Sequence, residues 1–177
     1  STHTGYYMRK LLRDDCSPNP AAPLAKYHDP VYIRYTEIFL AYAEAANEAW
    51  GPTGTGENTY SAYDVIKAIR KRAGIGAENG DAYLESIKNN KDLMRELIRN
   101  ERRIELCFEN KRFWDMRRWN LNLTETAKGM DVQMVDGSLK YVEIEVENRN
   151  YKEYMYYGPI PKTEVDKWSN LKQNKGW

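Results

Sequence analysis

Residues 101–120 read ERRIELCFENKRFWDMRRWN. Six of them are Arg or Lys, four are Glu or Asp, and two are Trp. This mixture fits a nucleic-acid surface, a carboxylate active site, or an internal clamp that only holds a fold together. The order of the charges separates the three. Glu101, Glu105 and Glu109 recur every four residues and share one helix face. With Asp115 they would repel phosphates, although KRFW and RRW pair cations with stackable rings as single-strand binders do. Helical spacing also puts Arg95 or Arg99 near Glu101, Arg102 near Glu105, and Arg112 near Glu109. Carboxylates paired in this way stay ionised and make poor general acids. A clamp remains. Arg102, Arg112 and Arg118 are expected to reach Glu105, Glu109 and Asp115, with Phe113, Trp114 and Trp119 packed inward. The planar fork of Arg suits the task, because it binds a carboxylate through two parallel hydrogen bonds. Burying several such charges is tolerable only when every partner is present.

The same block supplies the end of a helix. NKDLMRELIRNERRIELCFENKRFWDMRRW (90–119) places Leu93, Leu97, Ile98, Ile104, Leu106 and Phe108 on an apolar stripe. Asn110 marks a break before a short helix around 112–119. Upstream, VYIRYTEIFLAYAEAANEAW (31–50) predicts a helix with Ile33, Ile38, Leu40, Tyr42, Ala45 and Ala49 on its inner face. Gly51-Pro52 stops it. TYSAYDVIKAIRKRAGIG (59–76) predicts a second helix, capped by Thr59 or Ser61 and ended by Gly74. The two form an αα-hairpin whose span approaches one tetratricopeptide-type repeat. Downstream the period changes to two. GMDVQMV (129–135) and LKYVEIEVEN (139–148) flank Asp136-Gly137, a strong hairpin signal. YMYYGPIP (154–161) reads as an extended tail and KTEVDKW (162–168) as a helical turn or two. Residues 1–31 read as irregular, with GYYMRKLL ending a short strand at Tyr6 and Tyr7. Both histidines, His3 and His28, lie in this irregular start.

Composition narrows the function. In 177 residues, 41% are hydrophobic and 30% charged, which is enough for one domain with a real core. Lys and Arg number 27 against 26 Asp and Glu, so no basic surplus points to a dedicated nucleic-acid partner. Two Cys, Cys16 and Cys107, and two His are too few and too scattered for a zinc site. The Glu-x-x-His pairing of di-metal bundles is missing, and there is no nucleophile elbow, phosphate loop or dinucleotide fingerprint. The expectation is therefore no metal, no cofactor and no catalytic residue. The chain begins at Ser1 without an initiating Met, in what reads as mid-structure sequence, and the expectation is a processed or truncated product.

Four blocks occur in order: IRYTEIFLAYAEAANE (33–48), SAYDVIKAIRKRAGI (61–75), LIRNERRIELCFENKRFWDMRRW (97–119) and YYGPIPKTEVDKWSNLKQNKGW (156–177). Together they resemble the C-terminal part of the SusD/RagB family, surface-exposed nutrient-binding lipoproteins of Bacteroidetes-type bacteria. Lys175 stands where that family usually has Pro, and Met116 where Leu is common. The resemblance implies a mainly α fold: tetratricopeptide-like helix pairs with a small β-hairpin and irregular loops. It implies that residues 1–177 are a C-terminal portion, with 31–119 as helical scaffold, 120–177 as hairpin and closing tail, and the N-terminal half absent.

The resemblance also implies a binding protein and not an enzyme. It would be lipid-anchored at the cell surface of the outer membrane, and would pass a captured glycan to a SusC-like TonB-dependent transporter. Its partners would be that transporter, an oligosaccharide and the absent half of the same protein, with no nucleic acid. Sugar rings present flat C–H faces to Trp and Tyr. Tyr6, Tyr7, Trp50 and Tyr60 are therefore the candidate ligand contacts, because they sit in or beside predicted loops. The other readings left open are a scaffold that docks the transporter without touching ligand, and a binder of peptide. The set Arg102, Glu105, Glu109, Arg112, Asp115 and Arg118 is read as structural.

Overall fold

A computed structural model describes residues 2–27 and 31–177. His28 lies outside the described residues. The chain divides into two units, Tyr27–Arg112 and a second made of Ser1–Lys26 with Phe113–Trp177.

The first unit is a layer of helices. Helix α1 (Tyr35–Trp50) ends at Gly51, whose left-handed backbone (φ 77°) returns its N–H to the Asn47 carbonyl. Helix α2 (Ala62–Arg72) starts with a reciprocal cap. Ser61 Oγ accepts from the Asp64 N–H at 3.2 Å, and the Asp64 carboxylate accepts from the Ser61 N–H at 2.9 Å. A six-residue helix, α3 (Ala82–Ile87), follows and is capped by Asp81. It is too short for its period to have been read from the sequence. Helix α4 (Lys91–Glu105) is capped by Asn90.

Helices α1 and α4 run antiparallel and are tied at both ends. At one end Asn47 Nδ2 donates to the Lys91 carbonyl at 3.0 Å, and Lys91 Nζ donates to the Glu48 carbonyl at 2.6 Å. At the other end Arg34, just before α1, meets Glu105 and Glu109 at the close of α4. The core between the helices is built from Leu40, Ala43, Ala46, Val65, Ile66, Ile69, Leu84, Met94, Leu97 and Ile98, all buried.

The inner face of α1 is the expected one only in part: Leu40 is buried and Tyr42 packs against the core. Thr36, Leu40, Ala43, Ala46 and Asn47 face the core, while Ile33, Ile38, Ala45 and Ala49 are exposed, Ile38 by 55%. The helix is apolar on two sides, so its period alone does not choose between them. The neighbours choose, and they take the side whose Ala residues permit close approach. On α4, Leu97, Ile98 and Leu106 are buried as expected, but Ile104 and Phe108 are exposed. The helix stops at Glu105, and Phe108 takes a left-handed backbone (φ 61°) that turns it off the stripe.

The second unit holds the hairpin. Strands β1 (Ala127–Val135) and β2 (Ser138–Glu147) pair antiparallel in a register that opposes Val135 to Ser138 and Val132 to Tyr141. Asp136 (φ 50°) and Gly137 (φ 76°) make the two-residue turn with both backbones left-handed. GYYMRKLL forms no strand. Instead, Thr4 accepts a hydrogen bond from the Met130 N–H at 2.9 Å, so the chain start lies against β1. Gly5 approaches so closely that a methyl group there would overlap the Met130 carbonyl. Helix α5 (Arg112–Arg118), a 3₁₀ turn (Glu153–Tyr156) and the short α6 (Lys162–Val165) complete the elements named here. The tail is fixed by its side chains. Gln173 bonds both backbone groups of Ile160 at 2.8 Å, and Asn174 Nδ2 donates to the Gly158 carbonyl at 2.8 Å.

Candidate functional site

The charged block is organised around Arg34. Its Nε lies 2.9 Å from both carboxylate oxygens of Glu109, and its Nη1 lies 2.9 Å from Glu105 Oε1. Its Nη2 donates to the Glu105 backbone carbonyl, one of those left open at the end of α4. Arg72, at the end of α2, also pairs with Glu105. Arg70 pairs with Asp81 and Glu101, all three almost buried. Arg102 reaches Glu37 at 3.3 Å, and Lys111 Nζ stands 2.9 Å from the same carboxylate.

Burial alone would raise the Glu105 carboxyl, but Arg34 and Arg72 outweigh it and hold it below the usual carboxylate range. Arg70 lowers Asp81 in the same way, again against burial. Both groups are thus held as anions and have no proton to donate near neutral pH.

Partners enter that helical spacing did not point to. Arg34, Arg70 and Arg72 come from outside the block, and Arg34 stands 75 positions from Glu109. Of the six residues read as one clamp, Arg102, Glu105 and Glu109 belong to the first unit, as does Arg112. Asp115 and Arg118 belong to the second, where Arg118 Nε donates to the buried Asp115 at 2.9 Å. Phe113 and Trp114 do not pack inward. They are 50% and 66% exposed. Aromatic character gave no clue to this, because α5 buries Asp115 and Met116 instead.

Of the four candidate ligand residues, two belong to each unit. Tyr6 and Tyr7 are exposed on the segment after Gly5, in the second unit. Trp50 lies against the loop that follows α1, where methyl groups on Gly54 or Gly56 would overlap it. Its first task is therefore to shape that loop. Tyr60 is placed differently. Its carbonyl accepts from the Tyr42 hydroxyl, and it lines a groove of about 670 Å³ along α1 and α2 with Phe39, Val65, Ala68, Asp64 and Arg72. The Asp64 carboxyl is held below its usual range by its bonds to Ser61, so it enters this groove as an anion.

A second groove, of about 890 Å³, lies within the other unit and was not foreseen. Trp114, Arg117 and Arg118 of α5 face Asn120, Glu153, Tyr156 and Tyr157. The readable signal was KRFWDMRRW itself: three aromatic residues and adjacent arginines on and beside a helix too short to bury all of them. Among the described residues, no group of three His, Cys, Asp or Glu is placed to hold a metal ion. Among the same residues, no helix is long and apolar enough to cross a membrane.

Antiparallel helix pairs joined through Arg–carboxylate bonds, followed by a hairpin and a pinned tail, define a tetratricopeptide-like helical scaffold. The chain belongs to the SusD family, whose model matches residues 1–177. It is 32% identical over 144 residues to SusD-like protein P2 of Formosa agariphila, covering 80% of this chain and 24% of that one. It is 31% identical over 91 residues to SusD-like protein P38 of the same organism, covering 51% and 17%. A solved SusD-like protein from Bacteroides fragilis superposes with a TM-score of 0.62 at 32% identity, covering 84% of this chain and 26% of the other. The chain thus spans about a quarter or less of the length of these relatives.

Proposed function

We propose that this chain is part of a cell-surface nutrient-binding protein that captures a glycan and delivers it to a SusC-like TonB-dependent transporter. The observation that carries this reading is the match to the SusD family along the whole chain. On this reading the protein is a lipid-anchored binder at the outer membrane and not an enzyme. The helix pair α1–α2 serves as scaffold, and residues 1–177 are the C-terminal portion of a longer protein. The state of the acidic residues agrees with a binder, since Glu105 and Asp81 are committed to arginines. The test is a glycan array probed with the chain, followed by product analysis of every hit. Retention of at least one polysaccharide with no released sugar supports the proposal. Hydrolysis, or silence across the array, counts against it.

One observation favours a second reading. The α1–α2 groove is floored by Phe39, Val65, Ala68 and Ile69 and edged by Asp64 and Arg72. An apolar floor with a charged edge suits a polypeptide better than a hydroxyl-rich sugar. This would make the first unit a docking scaffold, or a peptide-binding module, without glycan contacts. Tyr60→Ala separates the two. Loss of glycan retention assigns the groove to sugar, and unchanged retention leaves it to a protein partner.

A further inference from the structure

We infer that the groove between α5 and the 153–157 turn is a saccharide subsite for an acidic sugar, one carrying a carboxylate or a sulfate. This rests on the glycan-binding reading above and adds both the place and the ligand class.

The groove measures about 890 Å³, within the range of small-molecule sites. Two rings stand open at its edge, Trp114 at 66% and Tyr157 at 73% exposure. Open rings of this kind offer π-faces to the C–H side of a sugar. The cations beside them are held in place in advance. The Arg117 guanidinium lies 3.5 Å from the Phe113 ring centre, and its Nη1 donates to the Phe113 carbonyl at 3.1 Å. Arg118 is anchored through Nε to Asp115 and lies 4.5 Å from the Trp119 ring centre.

The opposite wall is equally fixed. The Tyr156 hydroxyl donates to the Leu121 carbonyl at 2.6 Å, and Trp177 Nε1 donates to the Tyr157 carbonyl at 3.0 Å. A site arranged before its ligand arrives loses little entropy on binding.

The balance of donors and acceptors selects the class. Arg117 and Arg118 line the groove with one lining carboxylate, Glu153; Arg118 is already paired with Asp115, so the choice rests on Arg117. A guanidinium only donates, and its fork matches a carboxylate or a sulfate. A neutral sugar would gain from the rings but would use a guanidinium poorly. An acidic sugar uses both, stacking on Trp114 or Tyr157 and turning its anionic group toward Arg117, while Glu153 and Asn120 accept hydroxyls.

The experiment is calorimetric titration of the chain with tetragalacturonate, a sulfated chondroitin tetrasaccharide and cellotetraose, at low salt and at about 0.5 M NaCl, where surface charges are largely screened. The expected result is binding of at least one acidic probe about tenfold or more tighter than cellotetraose, weakened by salt. Arg117→Gln and the surface change Trp114→Ala should each weaken it by about tenfold, with unchanged melting temperature, while Tyr60→Ala leaves it intact. Equal binding of cellotetraose overturns the acidic-sugar assignment and leaves the glycan reading standing. Acidic binding that survives both substitutions overturns the location. Silence with all three probes, together with a silent glycan array, overturns both.

Discussion

Replacing Arg34 by Ala should be among the most costly single changes in the helical unit. The side chain serves four acceptors at once: both oxygens of Glu109, one oxygen of Glu105, and the Glu105 backbone carbonyl. The Arg34 side chain is 25% exposed and the Glu109 side chain only 8%, so truncation leaves Glu109 largely out of water. Breaking a fully buried pair costs about 3–5 kcal/mol, and an exposed pair about 0–1. Arg34 sits nearer the buried limit, but Arg72 stays on Glu105 and water reaches part of the site. The expected loss is therefore about 2–4 kcal/mol. For a chain of this size that lowers the melting temperature by roughly 4–16 °C. Arg34→Lys keeps the charge but loses the fork, and should recover less than half. The assay is urea and thermal unfolding at pH 7, with a double-mutant cycle against Glu109→Gln. A coupling of about 1–2 kcal/mol is expected. The surface pair Lys167–Glu164 serves as control, where Lys167→Ala should not move the melting point. If Arg34→Ala behaves like that control, the clamp argument is wrong.

Three further outcomes follow from the same geometry. Ser61→Ala removes the side-chain half of the α2 cap, leaves the Ser61 N–H on the Asp64 carboxylate, and should cost about 1 kcal/mol, read as a shift in urea midpoint, with Ser61→Asp tolerated. Gly5→Ala should displace the chain start from β1, seen as faster hydrogen exchange at the Met130 amide; unchanged protection there would contradict the close approach. Stability should be flat from about pH 8 to 5 and fall only as pH drops below the ordinary carboxylate values. Glu105 and Asp81 both lie below those values of 4.5 and 3.8 in the folded chain, so their stabilisation is complete above them and is lost as acid protonates the folded carboxylates. A decline beginning near pH 6 would point to a histidine or another group instead.

Much of this fold was legible because it is local. The Gly51 stop, the Ser61 cap and the Asp136-Gly137 turn each rest on one or two residues whose backbone or side chain has few alternatives. The hairpin strands came within two residues of their observed limits. Where the signal was local but ambiguous, the reading failed. Helix α1 offers two apolar faces, and only the helices that pack on it decide which is inside. Helix α3 has too few residues to show a period, and GYYMRKLL satisfied strand propensity, yet only Thr4, just before it, bonds to Met130 of β1.

The charged block shows a sharper limit. Helical spacing finds partners on the same helix, and it proposed Arg102 for Glu105 and Arg112 for Glu109. Arg34, Arg70 and Arg72, which also reach Glu101, Glu105 and Glu109, come from other elements, because this face of α4 looks toward α1 and α2. Interleaved charges in a sequence therefore report that a face is paired, not with what. The aromatic residues behave in the opposite way. Trp50 and Trp114 are the same residue type beside a helix end, yet one shapes its own loop and the other stands open over a groove. Two glycines fold back on Trp50, whereas Trp114 shares a seven-residue helix with Asp115 and Met116, which take the inner positions. The site candidate in this chain was thus hidden inside its most recognisable block. Its acids hold the helices together, and Trp114 and Arg117 after them line a groove.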